Sequence, residues 1–532
     1  MTDYQPNAVI HPPGTVELIS QYTTDDQPFE PDPDALLLCP TPSDDPNDPL
    51  RWSTLRKSWN YGLLIAMTIS VFSVLSIQPV FWSQMLEEMH VTQEDLNNAQ
   101  AAQLVGLAVG CIIFIPIAKK YGRRPVYIIS TLIVAGATWW SAFMDSARDV
   151  ILTNVLAGLA GATNETAVQM SIRDLYFVHQ RGSANGIYLV AVTAGAFLTP
   201  MAAGAQALYS GWRSSYITLA CFMTGLTILF AISFEETKFV PPPERGPDIE
   251  ISDDASIRKG YPIDVKSMTA AESEDPTRAR RTHFRLQLIT KTDESIWKTI
   301  YYPIFTSWYP HVVFTYLEFA SGIAWVVMVS AITSIVFSKA PYDFNPLQVG
   351  FMFGGTLIGS VFGSLYGGML VDWAIVKFAK RNRGLFEPEM RLWLMPLPAI
   401  AMSLGLAVFG ITADRGMHWV FPSIGGGVFA FGFGAISDIT FTLVIDSFPN
   451  LVAQTFVIIA FFRNALSIVG PFSITPWMEA MSISAIFVVA GSISLSIHVF
   501  AVPLAIWGKR TRASIAPQYY RLTEKLYPEM VA

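Results

Sequence analysis

Twelve apolar stretches, arranged as two sets of six, constrain this 532-residue chain more than any other feature of it. The first set runs at about 60–81, 98–118, 125–144, 150–170, 184–207 and 214–233; the second runs at about 312–336, 347–371, 391–412, 418–441, 451–474 and 482–507. Each is long enough to cross a hydrocarbon layer of roughly 30 Å as a helix. Charged residues make up only 14 % of the chain, against roughly 25 % in soluble domains. The expectation is an all-α polytopic membrane protein.

Between the two sets lies a polar segment with Pro241-Pro242-Pro243, an acidic run over 248–254 and the basic Arg278 to Arg281. The expected organisation is a disordered tail over 1–57, a six-helix bundle over 58–234, a solvated linker with one surface helix over 235–305, a second six-helix bundle over 306–508 and a tail over 509–532. Lysine and arginine gather in alternate loops: Arg51, Arg56 and Lys57 before span 1, Lys119 to Arg124 after span 2, Arg173 and Arg181 after span 4, Lys377 to Arg391 after span 8, and Lys509 to Arg512 after span 12. The intervening loops hold few bases, so both termini and the linker are expected in the cytosol. The proline-rich acidic start has no basic stretch leading into an apolar one, and therefore does not read as a cleaved signal peptide.

The net charge of −7 comes largely from that tail and makes nucleic acid a poor candidate partner. Of three cysteines, Cys111 and Cys221 fall in apolar segments, so no disulfide framework is indicated. No phosphate loop, zinc spacing or catalytic triad stands out, and no cofactor or metal is expected; His311, His418 and His498 read as span-end or packing residues.

An ionised side chain at the centre of a membrane helix costs roughly 2.5–3.5 kcal/mol on insertion scales. Such a group faces a cavity, finds a partner or carries a proton. Glu165 beside Asn164 in span 4, Glu318 in span 7 and Asp438 in span 10 are the acids to explain, and Arg463-Asn464 in span 11 is their basic counterpart. Spans 4 and 10 align as repeats: Asn164-Glu165 with Asp174 nine residues on, Ser437-Asp438 with Asp446 eight residues on. Glu165 and Asp438 then fall at related depths, with Glu165 as proton carrier and Asp438 held ionised by Arg463. The plainer alternative is a static ion pair between Arg463 and one acid. Trp139-Trp140, Trp325 and Phe461-Phe462 can stack on a hydrophobic substrate or simply pack.

Span 5 carries Gly186, Gly195, Thr199, Pro200 and Gly204, small residues that admit a close neighbour and a proline that bends the helix. This spacing resembles the antiporter signature of the major facilitator superfamily. A second motif of that superfamily, a Gly/Asp/Gly-Arg-Arg loop after the second span of each half, is split here between Gly122-Arg123-Arg124, where Lys119 stands in the acid position, and Gly368 with Asp372. In the family this loop latches the bundles on the cytosolic side, and Asp446 at the end of span 10 is the candidate partner for Arg123 and Arg124.

Asp45 to Trp52, His179 to Gly182, Gly211-Trp212-Arg213, Phe386 to Leu392, Phe462-Arg463-Asn464 and Pro476-Trp477 resemble the fungal twelve-span drug:proton antiporter group, including its polyamine-transporter branch. Asn154 stands where that group often has a span 4 arginine assigned to proton coupling. The resemblance implies the major facilitator fold, not an enzyme, with a substrate site between two bundles near the membrane midplane. It implies proton-coupled efflux of a hydrophobic or amphipathic small molecule across the plasma membrane, with substrate, protons and bilayer as partners. The alternatives are proton-coupled uptake of an organic cation such as a polyamine and a non-transporting nutrient sensor.

Overall fold

The computed structural model describes residues 12–17, 48–239, 287, 289–290, 296–382 and 384–526. The Pro241 to Pro243, 248–254 and 278–281 features of the linker, with Cys39, Arg383 and the side chains of His179, Arg181 and Gly182, lie outside them. The first bundle comprises α1 (Thr54–Ser76), extended through a 3-10 turn by α2 (Trp82–Met89), then α3 (Gln93–Tyr121), α4 (Arg123–Ala142), α5 (Ala147–Leu175), α6 (Val178–Thr193) continued by α7 (Thr199–Ser210), and α8 (Trp212–Ser233). After a short helix, α9 (Ile296–Thr306), the second bundle comprises α10 (Pro310–Phe337), α11 (Pro346–Leu365) continued by α12 (Val371–Arg381), α13 (Pro396–Asp414), α14 (Val420–Ser447), α15 (Val452–Ser467) with α16 (Val469–Ala480), and α17 (Ile483–Val499) with α18 (Ala501–Leu526).

Eleven of these helical spans are long and apolar enough to cross a membrane. The twelfth, α5, has 29 residues, but Asn154, Asn164, Glu165 and Gln169 dilute its apolar character. It is instead held by protein. Gly106 and Gly110 of α3 lie where a methyl group would come 2.4 Å from the Val155 carbonyl and 2.1 Å from that of Leu159, and Gly158 of α5 meets the Gln103 carbonyl in the same way. Gly355, Gly359 and Gly363 of α11 make the equivalent approach to Ser423, Gly427 and Phe431 of α14. Spans 2 and 4, and their repeats 8 and 10, therefore form two small-residue helix pairs.

Helix starts follow local chemistry. Thr92 and Asp95 form a capping box at α3, as do Asn345 and Gln348 at α11, and Ser146 and Ser482 cap α5 and α17. Where a disordered tail is expected, Asp48 caps a 3-10 turn before α1 and residues 16–17 form β1 (Val16–Glu17), antiparallel to β2 (Leu385–Phe386).

Span 5 departs from regular α-helix for an identifiable reason. Pro200 brings no backbone N–H, and the helix widens into a π turn over Ala194–Leu198, where the Thr199 N–H reaches back five residues to the Ala194 carbonyl. Gly195 then sits against α1, with a methyl group there 2.6 Å from the Ile69 carbonyl and 2.7 Å from Phe72 Cβ, while the Ser73 hydroxyl donates to Thr199 Oγ1 at 2.8 Å. Gly204 meets Pro346 of the second bundle and Gly350 of α11 meets the Pro200 carbonyl. Gly186 departs from the expected tight packing: it is exposed and nothing lies within 4 Å of its missing side chain.

The bundles thus touch on the face opposite the two chain ends, where α7 meets α11 and Asn97 of α3 donates to Thr475 of α16 at 2.8 Å. Replacing Gly195 by leucine forces a side chain into the α1 backbone, an overpacking that costs about 1–3 kcal/mol; Gly195→Leu is expected to insert normally yet lose transport. Gly186→Leu, pointing into open space, is expected to transport like the parent. Equal flux in both variants, measured at matched surface expression, would show that the α1 contact is dispensable.

Candidate functional site

The polar centre of the molecule joins the two bundles. Glu165 lies ten residues before the end of α5 and Arg463 eleven residues after the start of α15, so both sit about 15 Å from the same face at the helical rise of 1.5 Å per residue. Arg463 Nη2 pairs with Glu165 Oε2, and Asn464 Nδ2 donates to that oxygen at 3.0 Å. The Glu165 side chain is 8 % exposed, Asn464 is fully buried, and Arg463 Nε has no partner. The guanidinium also approaches Phe319 at 5.7 Å, beside an aromatic run in which Phe441 stacks on Phe456 and Tyr316 on Phe462.

Asn164 points the other way, into the first bundle. Its Oδ1 accepts from Thr68 and its backbone carbonyl from Tyr188, and its Nδ2 is buried without a partner. It supports the α1–α5–α6 packing that holds Glu165 in place.

Contrary to the expectation from sequence, Arg463 holds Glu165 and not Asp438. Asp438 lies within the second bundle beside Ser364 and Gly367 of span 8, with no Lys, Arg or His at ion-pair distance among the described residues. The α11–α14 glycine contact draws α14 toward span 8 and leaves Arg463 to reach across to Glu165. Glu318 is 1 % exposed. Its Oε2 lies 2.7 Å from His498 Nδ1, His498 Nε2 lies 3.0 Å from Ser494, and Glu318 Oε1 is unpartnered. His498, read from sequence as packing, is therefore the ionisable partner that Glu318 needed.

Of the aromatic candidates, Trp139 donates to Thr224 within the first bundle and Trp140 to Asp149 at its exposed edge. Trp325 is buried in the core of the second bundle. Phe462 belongs to the aromatic run near Arg463, and Phe461 packs edge-on against it at 5.3 Å between ring centroids. Asn154 bonds back to the Val150 carbonyl of its own helix.

The expected latch between Arg123 or Arg124 and Asp446 is not formed in this conformation, because each group is satisfied inside its own bundle. Arg123 Nε pairs with Asp174 at 3.0 Å. The backbone N–H groups of Arg123 and Arg124 donate to Glu236 at 2.9 and 3.1 Å, and Arg124 Nη2 donates to the Ala231 carbonyl. Gly122 has φ 109°, and a side chain there would strike Glu236. In the second bundle Arg391 bridges Asp446 and Asp372, both at 2.8 Å, while Gly368 contacts nothing within 4 Å and its neighbour Gly367 makes the close approach.

Two features of the sequence point to these partners. Glu235-Glu236 directly follow span 6; Glu235 pairs with Arg56, and Glu236 supplies at the start of α4 the acid that Lys119 does not. The repeat that aligns Asp174 with Asp446 also aligns their bases, since Arg123 opens the third span of one half and Arg391 precedes the third span of the other. Among the described residues no group of three or more His, Cys, Asp or Glu is placed to hold a metal.

The chain resembles known proteins along most of its length. The chain is 27 % identical to an uncharacterized MFS-type transporter, C1271.10c, of Schizosaccharomyces pombe, with 97 % of this chain and 96 % of that one aligned. It is 24 % identical to the protein HOL1 of Saccharomyces cerevisiae over 90 % of each, and 25 % identical to multidrug transporter TPO1_2 of Candida glabrata over 80 % of this chain and 71 % of the other. Among solved structures, a bacterial homologue of the human lysosomal transporter Spinster superposes with a TM-score of 0.55 at 14 % identity, covering 87 % of this chain and 98 % of its own. The profile of the Major Facilitator Superfamily matches residues 63–471, from within the first helix to the eleventh span, so the chain belongs to that superfamily of membrane transporters and its relatives are those of a fungal drug:proton antiporter-like group.

Proposed function

We propose that the chain is a proton-coupled exporter of hydrophobic or amphipathic small molecules, with Glu165 as the proton carrier, and that its chain ends face the cytosol at the plasma membrane. The observation that carries this reading is the bond of Glu165 to Arg463 and Asn464 of the opposite bundle. Ionised, Glu165 ties the bundles together at mid-depth. Protonated, it no longer neutralises Arg463 and the ion pair across the interface is gone, so the charge on one carboxyl is linked to the separation of the bundles. Breaking a buried pair by removing one partner costs about 3–5 kcal/mol, which is large enough to gate a rocking motion.

The aromatic run beside Arg463 supplies apolar surface for a substrate. A drug-like substrate range is in keeping with the name of the Candida glabrata relative, a multidrug transporter. For each charge moved, a membrane voltage contributes about 2.3 kcal/mol per 100 mV.

A second reading, uptake of an organic cation such as a polyamine, has one specific observation in its favour. Asp438 is an intramembrane acid with no basic partner among the described residues, and a cationic substrate would supply the missing charge.

In reconstituted vesicles, a gradient of one pH unit is worth about 1.4 kcal/mol, a tenfold accumulation ratio at one proton per substrate. Glu165→Gln is expected to bring that ratio to unity while substrate binding and downhill exchange persist; undiminished uphill transport would remove Glu165 from the mechanism. Asp438→Asn is expected to leave transport of neutral amphipathic substrates intact. Loss of all transport in Asp438→Asn, with polyamine competing for the parent's flux, would establish the second reading in its place.

A further inference from the structure

The stretch Pro12–Glu17 precedes the first bundle in sequence yet is seated on the second. A turn closed by the Thr15 N–H on the Pro12 carbonyl leads into β1, which pairs with β2 in the register Val16 to Phe386 and Glu17 to Leu385. Pro13 is buried. Gly14 has φ 84° and lies directly on the end of α14, where a methyl group would come within 2.2 Å of the Asp446 carbonyl and 2.9 Å of Ser447 Cα.

The surface beneath is a built receptor. Arg512 of α18, 0 % exposed, donates through Nε and Nη2 to the two oxygens of Glu389, both at 2.7 Å, and through Nη1 to the Pro13 carbonyl and, at 3.3 Å, to Thr15 Oγ1. His311 at the start of α10 shares Glu389 Oε1 at 3.2 Å, and Gly508 leaves the room that Glu389 occupies. The tail peptide completes the hydrogen bonding of a guanidinium that the membrane helices satisfy only in part.

We propose that Pro12–Glu17 is a detachable strap that holds the transporter in the conformation closed on the far face. In that conformation the bundles meet through Asn97–Thr475 and Gly204–Pro346, and alternating access requires the other face to close when those contacts part. Closing it brings the chain-end faces of the two bundles together. The strap lies on the end of α14, on the face of the second bundle that must then meet the first, at the residue whose carboxylate Arg391 now holds. Release therefore favours the opposite state.

Protonation of Glu389 is not the trigger. Burial would raise its pKa, but the bonds from His311 and Arg512 outweigh it and hold the carboxyl at about 2, so this carboxylate stays ionised at any cytosolic pH.

The test uses the full chain with Cys39, Cys111 and Cys221 replaced by alanine and with Asn97→Cys and Thr475→Cys as a reporter of far-face closure. Gly14→Val, which collides with the Asp446 carbonyl and disfavours the positive φ, is expected to lower cross-linking at 97–475 at least twofold, and deletion of residues 2–17 to do the same. A synthetic peptide of residues 11–18, added to the deletion variant in detergent, is expected to restore it. Labelling of a Thr15→Cys reporter confirms that Gly14→Val has freed the strap. Unchanged cross-linking with the strap freed or deleted would overturn the proposal, as would a fall accompanied by loss of the folded monomer on gel filtration and no rescue by peptide, which would make the segment part of the fold. Because the readout is cross-linking rather than flux, it is independent of the substrate and of the role of Glu165.

Discussion

One ion pair sets the terms for the rest of the molecule. Glu165 and Arg463 come from different bundles, meet at mid-depth and are reinforced by Asn464. Neither charge is tolerable alone in a hydrocarbon environment, so each bundle carries a group whose stability depends on the position of the other. Much of the remaining architecture holds these two side chains at a fixed height. The α3–α5 glycine contacts fix α5, the Thr68 and Tyr188 bonds to Asn164 fix its rotation, and the aromatic run around Phe462 supports the Arg463 side chain.

The two halves solve the same electrostatic problem with different parts. In each, a base at the start of the third span pairs with an acid at the end of the fourth, Arg123 with Asp174 and Arg391 with Asp446. The first half adds Glu236 on the backbone amides of α4, where a carboxylate also complements the positive end of the helix. The second adds Asp372, bonded to the same Arg391. Arg123, Arg391 and Asp446 thus make their ion pairs inside their own bundles, while the far face is joined by close backbone packing of Gly204 on Pro346 and Gly350 on Pro200.

The architecture was legible in the sequence because hydropathy and length report directly on membrane crossing. Eleven spans satisfy both, and the twelfth was found because its apolar residues still outnumber the polar ones. A helix irregularity at Pro200 was legible for the same kind of reason, since a missing N–H is a local property, and it takes the form of a π turn. Partner choice was not. Glu165, Asp438 and Arg463 could be named as intramembrane charges, but which acid the arginine takes depends on how far α14 leans toward span 8, a result of Gly359 and Gly363 that no local pattern reveals. Gly186 and Gly368 fit their motifs by spacing and make no close contact, whereas Gly367, one residue away, does. A motif fixes the helix; the face it presents is settled by neighbours.

The composition of α5 has a consequence for its place in the membrane. Its central turns carry Asn164 and Glu165 and are covered by protein, with the glycine ridge of α3 alongside and Thr68 of α1 donating to Asn164. The helix that carries the carboxylate is thus the one whose cost in the bilayer is offset chiefly by its neighbours, so that a change in α1 or α3 acts on the fourth span as well as on its own.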